Sequence, residues 1–441
     1  MHATIHHADT LRGTLTLPPD KAICHRAVLA AALASGNTEI LPWPSADDCQ
    51  HTLALIQGLG VTVRRVADRL QIMGQGRVNP PAQELFCGES GTTFRLAAGL
   101  LAGQPFTSRL SAAPSLSRRP MQRIVVPLTQ MGARCEATTT GPGSRECYPP
   151  ITIHGKRPLT AIRYQMDVAS AQVKSAILLA GLFANGPTTV VEAHPTRDHT
   201  ERTLRYFGVR VHTDGPTVLL EPGPLSSPGR LIIPGDVSSA AFFLVAACCV
   251  SGSQLTLQGV GLNPTRLGML KVLARMGAEI RVTVTDDRWE PRGTIQVESR
   301  PLRGTVVTSE EAPGLIDELP ILMVAAACAQ GTTRFEGVGE LRVKETDRIA
   351  SMVAGLQRLG ANIRLPTPDI VELEGGPLTG AELESAGDHR TAMSLAVAGL
   401  VAGQRPTTVR GVECVSKSFP EFFDALRQIV GAPTVKTVDK A

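Results

Sequence analysis

The sequence predicts an α/β chain of two domains. Each is an inside-out α/β barrel, helices within and strands outside, and together they are built from six βαβαββ repeats, three per domain. Three observations predict this. A polar cluster opens an apolar, alanine-rich helical run that closes on glycine and continues into a Thr-rich extended stretch, and this pattern occurs six times. A second helical pattern with apolar residues at helical spacing follows each copy. Short alternating strands come after those second helices.

The six first helices lie in KAICHRAVLAAALASGNTEI, GTTFRLAAGLLAGQPFTSRL, SAQVKSAILLAGLFANGPTTVV, SSAAFFLVAACCVSGSQLTL, DELPILMVAAACAQGTTRFE and HRTAMSLAVAGLVAGQRPTTVR. Their closing glycines are Gly36, Gly103, Gly186, Gly252, Gly331 and Gly403, 66 to 83 residues apart. These runs are apolar on nearly every side, so the helices are expected inside. The second helices lie in ADDCQHTLALIQGLGV, RRPMQRIVVPLTQMGA, RDHTERTLRYFGV, NPTRLGMLKVLARMGA, KETDRIASMVAGLQRLGA and KSFPEFFDALRQIVGA. Each begins after charged or capping residues and stops at glycine, as helix ends prefer. TVRRV shortly after Gly60 and the run 279–284 read as strands, whereas the Pro-bearing stretches Glu290–Pro301 and Gly141–Pro150 read as loops.

A self-match divides the chain. LPPDK at 17–21 resembles IPGDV at 233–237, each directly before a first helix. Repeats one to three are placed at 20–232, and repeats four to six at 233–441 joined by residues 1–19. Two connecting segments would permit hinge closure over a ligand in a cleft between the domains.

Composition bounds the function. A chain of 441 residues has room for two or three domains. A net charge of +4, evenly spread, argues against nucleic acid and membrane partners. Nine scattered cysteines form no C-x-x-C pair and no zinc spacing, so they read as reduced thiols in the cytoplasm. No metal site is expected. MHATIHHADTLRG holds no apolar signal region, and no apolar run is long enough to span a bilayer.

Charged and polar residues gather where the helices begin: Lys21, Arg26, Gly91 with Thr92, Arg119, Ser170, Gln172, Arg197, Asp317, Lys344, Glu345, Arg348, His389 and Arg390, with Lys417 nearby. Helix N-termini already favour anions, so a cation there costs helix stability unless something anionic is bound. Several arginine forks point to a ligand with more than one phosphate or carboxylate. Taken singly, Asp317 also suits the N-cap of ELPILMVAAACA, and Glu345 suits an exposed acid paired with Arg348. His389 reads as an orienting residue, and Cys24 as core packing.

The motifs that carry a resemblance are LPPDKAICHR at 17–26, GESGTTFR at 88–95, SRRPM at 117–121, SAQVKSAILLAGL at 170–182 and RDHTE at 197–201. LIDE at 315–318, RVKETDR at 342–348, GDHR at 387–390 and SKSFP at 416–420 complete them. In this order they resemble the enolpyruvyl transferases, in particular the 5-enolpyruvylshikimate-3-phosphate synthases. That resemblance implies a monomer with no cofactor and two small-molecule substrates, shikimate 3-phosphate and phosphoenolpyruvate. It implies that Lys21, Arg26, Ser170, Ala171, Gln172, Arg197, Asp317 and Lys344 hold the former. It implies that Lys21, Gly91, Arg119, Gln172, Arg348, Arg390 and Lys417 hold the latter. The reaction it implies is addition and elimination, in which the 5-hydroxyl attacks C2 of phosphoenolpyruvate and phosphate leaves. Such chemistry needs a base for the hydroxyl and an acid at the methylene carbon. Asp317 is assigned to the hydroxyl and Glu345 to the carbon, with the division of proton transfers among Asp317, Glu345 and Lys21 left open.

Two positions depart from the family pattern. Ala22 stands where a serine is usual, and Glu89 where an asparagine is usual. An enolpyruvyl transferase with another acceptor, or a silent metabolite-binding relative, therefore stays in view. The relative acting on UDP-N-acetylglucosamine carries a catalytic cysteine in the second repeat, and Ser108–Pro120 contains none. Glyphosate-tolerant members often carry alanine at the turn where this chain has Gly91, which implies a glyphosate-sensitive site.

Overall fold

The computed structural model describes residues 1–139 and 146–438. The chain divides into two compact units, a terminal unit (Met1–Pro18 with Pro234–Ala441) and a central unit (Pro19–Ile233).

The helices follow the two sequence classes. In the central unit they are α1 (Lys21–Leu33), α2 (Asp47–Gly58), α3 (Gly91–Ala102), α4 (Gln122–Gln130), α5 (Ala171–Gly181) and α6 (His199–Tyr206). The terminal unit holds α7 (Val237–Cys249), α8 (Gly268–Arg275), the short α9 (Ala312–Leu315), α10 (Leu319–Cys328), α11 (Arg348–Arg358), α12 (His389–Val401) and α13 (Phe422–Val430). The apolar first-class helices are buried nearly from end to end. In α7 every residue but Cys249 is buried, and in α10 every residue but Cys328. Helices α7, α10 and α12 pack on one another, as α3 does on α1 and α5. Small residues permit this closeness: a Cβ at Gly99 would stand 2.1 Å from the Ala176 carbonyl oxygen, so only glycine fits where α3 meets α5.

Among the described residues, six small sheets, three in each unit, surround these helices. Each has a parallel edge and then two antiparallel pairings, in the same spatial order. In one, Leu85–Phe86 runs parallel to Thr107–Ser111, which pairs antiparallel with Cys147–His154, itself antiparallel to Arg134–Thr139. The chain does not complete every sheet locally. The parallel edge of the first repeat is supplied by Leu225–Ser226 and Arg230–Ile232, which pair with Ala34–Leu41. In the terminal unit, Arg12–Thr16 pairs with Gln254–Gly261, and His2–Ile5 lies between Thr407–Arg410 and Val435–Val438. Each unit is thus closed by strands from its own two ends.

Parts of two expected loops, 292–298 and 147–150, are strand. Arg292–Glu298 pairs with both Gln254–Gly261 and Glu279–Asp286, because its Gly-Thr-Ile-Gln-Val alternation buries every second residue between those neighbours. The end of the other stretch opens the central strand Cys147–His154, which has the same alternation, while 141–145 lies outside the described residues. Pro149 and Pro150, which argue for a loop when taken alone, sit where the ladder shifts register. Among the described residues no helix is long and apolar enough to cross a membrane. No group of three or more His, Cys, Asp or Glu side chains among them is arranged to hold a metal ion.

Candidate active site

In the central unit the predicted residues stand in the first turns of α1, α3 and α5 and in the segments before α4 and α6. Asp20 caps α1, its carboxylate accepting from the Ile23 amide at 3.1 Å, which places Lys21 as the first helical residue. Lys21 Nζ donates to Asp48 Oδ2 at 2.6 Å. Arg26, one turn further, is buried: Nε donates to Thr200 Oγ1 at 2.7 Å, Nη2 to Ser175 Oγ at 2.9 Å, and Nη1 to the Ala22 carbonyl at 2.7 Å. The Ser175 hydroxyl is shared with Thr200 at 2.6 Å and donates to the Ala171 carbonyl at 2.6 Å. Arg26 thereby ties α1 to the first turns of α5 and α6.

The GTT turn is equally bound to its neighbours. Ser90 caps α3, and a Cβ on Gly91 would come within 3.0 Å of Arg119 Nη1 and 3.3 Å of Arg95 Nη1. Gln172 donates from Nε2 to Thr92 Oγ1 at 2.9 Å and accepts at Oε1 from Arg95 Nη1. Gly91, Thr92, Arg119 and Gln172 are therefore one cluster, with Arg95 as its link. Ser170 caps α5, its hydroxyl accepting from the Val173 amide at 3.4 Å. Arg197 precedes α6 in a segment anchored by buried charges. Lys174 Nζ lies 2.9 Å from Glu192 Oε2 and 2.7 Å from Glu201 Oε1, and Glu192 Oε1 accepts from the Thr196 amide at 3.1 Å. Burial pushes the Glu201 carboxyl up, against the pull of Lys174.

In the terminal unit the cluster centres on Arg348, the first residue of α11 and almost wholly buried. Its Nε donates to Asp388 Oδ2 at 2.8 Å, Nη2 reaches Glu345 Oε2 at 2.5 Å, and Nη1 lies 3.6 Å from Asp317 Oδ1. Burial opposes its charge, but the carboxylates of Glu345, Asp388 and Asp317 outweigh burial and raise its pKa further. Asp388 caps α12, accepting at Oδ1 from the Arg390 amide at 2.8 Å. Burial pushes its carboxyl up, yet Arg348 prevails and holds it below the ordinary carboxylate range. Arg390 Nε lies 3.3 Å from Asp317 Oδ1, and its Nη1 donates to the Asp317 carbonyl at 2.9 Å. Next to Asp317, Glu318 accepts from the Ser238 hydroxyl and lies 3.7 Å from Arg266 Nη2.

Asp317, Glu345, Arg348 and Arg390 thus form one ion-paired group. Lys344 stands at its edge, with Nζ 3.0 Å from Glu340 Oε1, and Lys417 Nζ donates to the Gly387 carbonyl at 3.3 Å beside the α12 cap. Asp317 is not the N-cap of α10; that position belongs to Glu318, and Asp317 sits in the preceding turn. Glu345 does pair with Arg348, but from ahead of α11 rather than on it, since the cap is Asp347. His389 is buried at the first position of α12. Asp388, Arg95, Asp48, Ser175 and Thr200 were missed as site builders. Asp388 and Arg95 lay inside the quoted motifs GDHR and GESGTTFR, and their charge at a helix head was the available signal. Ser175 and Thr200 lay inside SAQVKSAILLAGL and RDHTE, but an uncharged hydroxyl there had nothing to single it out.

The family model for EPSP synthase (3-phosphoshikimate 1-carboxyvinyltransferase) matches residues 5–426. A 3-phosphoshikimate 1-carboxyvinyltransferase of Coxiella burnetii is 44% identical over 95% of this chain and 95% of its own. One from Halorhodospira halophila is 47% identical over 95% and 94%. The EPSP synthase structure from Acinetobacter baumannii superposes with a TM-score of 0.87 at 39% identity, covering 99% of both chains. The enolpyruvyl transferase NikO from Streptomyces tendae, 19% identical with a TM-score of 0.78, shares the fold. With its helix-head clusters in both units and these matches along nearly its whole length, the chain belongs to the EPSP synthase (3-phosphoshikimate 1-carboxyvinyltransferase) family.

Proposed function

We propose that this chain transfers the enolpyruvyl group of phosphoenolpyruvate to the 5-hydroxyl of shikimate 3-phosphate, releasing phosphate. The observation that carries the reading is the shared hold on two carboxylates. Asp317 lies against both Arg390 and Arg348, and Glu345 against Arg348. Proton carriers are thereby fixed beside the guanidinium groups that suit an anionic substrate. Phosphoenolpyruvate is assigned to Lys21, Gly91, Arg119, Gln172, Arg348, Arg390 and Lys417. Shikimate 3-phosphate is assigned to Lys21, Arg26, Ser170, Ala171, Gln172, Arg197, Asp317 and Lys344. Arg26, with its donors engaged by Thr200, Ser175 and Ala22, acts chiefly by shaping the α5 and α6 heads and by its charge.

In the addition step Asp317 takes the 5-hydroxyl proton as the oxygen bonds to C2, and Glu345 protonates C3. In the elimination step the C2–O bond to phosphate breaks, C3 returns a proton to Glu345 as the C2–C3 double bond re-forms, and the proton held by Asp317 goes to the departing phosphate. Lys21 and the arginines balance charge as phosphate leaves. The nine free cysteines fit a reducing, cytoplasmic compartment.

The test is phosphate release from purified protein given both substrates without added metal, alongside Asp317→Ala and Glu345→Ala. Release that requires both substrates, and falls at least about a hundredfold in each folded variant, is the expected result. Binding of phosphoenolpyruvate without release would move the acceptor elsewhere and make Ala22 and Glu89 the marks of that change.

A further inference from the structure

A chain of buried hydroxyls crosses the central unit from α1 to the head of α3. His25 Nδ1 lies 2.6 Å from Thr52 Oγ1, Thr52 Oγ1 lies 2.6 Å from Thr93 Oγ1, and Thr93 Oγ1 donates to Ser90 Oγ at 2.7 Å. Ser90 Oγ also accepts the Thr93 amide at 3.1 Å, the bond that caps α3. His25, Thr52 and Thr93 are fully buried and Ser90 is nearly so. The chain spans three helices, since His25 is on α1, Thr52 on α2 and Thr93 on α3.

Its direction follows from counting hydrogens. Each hydroxyl has one hydrogen to give. Thr93 gives its hydrogen to Ser90, at 2.7 Å the nearer of its two acceptors, the other being the Asp48 carbonyl at 3.4 Å; either way it must accept from Thr52, and Thr52 in turn must accept from His25. The imidazole therefore carries its hydrogen on Nδ1. Its Nε2 is buried with no hydrogen-bond partner, so a second proton there would be left unbonded. Burial first, and then Lys21 and Arg26, keep the ring neutral against the opposing pull of Asp48 and Asp20, with its pKa lowered to about 3.

We propose that His25 is a positioning residue for phosphoenolpyruvate: as a fixed Nδ1 donor it polarises the Thr52–Thr93–Ser90 relay and so holds the Gly91–Thr92 turn at the head of α3. The turn's other anchor, Gln172 on Thr92, comes from α5. The relay fixes the turn from the opposite partner helices, α1 and α2. The substrate named here rests on the proposed reaction; the hold on the turn does not.

The experiment compares His25→Leu, His25→Asn and Thr52→Val in the full chain. Asparagine returns an amide donor near the Nδ1 position, whereas leucine and valine keep bulk and break the relay. Hydrogen–deuterium exchange at the Thr93 amide should quicken by about five- to tenfold in His25→Leu and Thr52→Val, the worth of one neutral hydrogen bond, and recover in His25→Asn. The KM for phosphoenolpyruvate should rise by a similar factor, with kcat and the KM for shikimate 3-phosphate nearly unchanged. The double variant His25→Leu/Thr52→Val should be no worse than either single change. Unchanged exchange in both breaking variants, failure of asparagine to restore it, or equal shifts in both KM values would overturn the proposal. Should the wild-type protein turn over neither substrate, the proposed reaction fails while the exchange rates still decide the relay.

Discussion

The two units hold their arginines in opposite ways. In the central unit Arg26 donates to two hydroxyls and a carbonyl, and hydroxyls continue through Ser175 and Thr200. In the terminal unit Arg348 is ringed by the carboxylates of Asp388, Glu345 and Asp317, and Arg390 leans on Asp317. Partners of the first kind are neutral groups that fix the guanidinium in place. Partners of the second kind offset part of its charge and hold acids ready to move protons beside it. The same repeat thus supplies a receptive end and a reactive end, according to which side chains surround the helix heads.

The largest effect should come from breaking the buried pair of the terminal unit. Arg348→Met leaves Asp388 buried without its cation and should destabilise the chain by about 3–5 kcal/mol in denaturant unfolding at pH 7. Arg26→Met, whose hydroxyl partners can turn to one another, should cost markedly less. The sign with pH is fixed by Asp388: its carboxyl is held low, so its contribution is complete above the ordinary carboxylate range and is lost as pH falls through its lowered value. The gap between wild type and Arg348→Met should therefore narrow in acid. Equal costs at the two arginines, or a gap that widens in acid, would erase the contrast.

A smaller effect sharpens the receptive half. A methyl group at Gly91 would come within 3.0 Å of Arg119 Nη1, the far end of a long side chain that can yield by tenths of an ångström. Gly91→Ala should fold normally and raise the KM for phosphoenolpyruvate a few-fold. If the site is glyphosate-sensitive as the family resemblance implies, inhibition by glyphosate should weaken by a larger factor. Steady-state kinetics at fixed shikimate 3-phosphate would read both. The smallest expected effect is at Ala22, whose carbonyl Arg26 already engages. Ala22→Ser should lower the KM for shikimate 3-phosphate by an amount worth about 1 kcal/mol or less. A rise instead would mean that the hydroxyl competes for Arg26.

Much of the fold was legible because its signals are local. The first helices are largely apolar runs, and five of the six have a side-chain cap before them, Asp20, Ser90, Ser170, Asp236 or Asp388, whereas α10 follows Glu318 without one. Strands with prolines in them or beside them were harder to read. Cys147–His154 and Arg292–Glu298 look like loops in isolation and become strands only because neighbours on both sides accept their ladders. The site divided along the same line. Lys21, Gly91, Arg348 and Arg390 announce themselves as charge or glycine at helix heads. The partners that set their chemistry do not, for Asp388 reaches Arg348 across 40 residues and Ser175 reaches Arg26 across 149.

By itself the sequence determined the six-fold repeat, the burial of its apolar helices and the placing of anion-seeking residues at helix N-termini, because periodicity, capping and dipoles act within a few residues. Only the tertiary structure decided which guanidinium meets carboxylates and which meets hydroxyls, which terminal strands close each unit, and that His25 is linked to Ser90 through two threonines. Those outcomes depend on which distant helix heads are packed side by side, and the free energy of a buried polar group is set by its nearest partner rather than by its place in the chain.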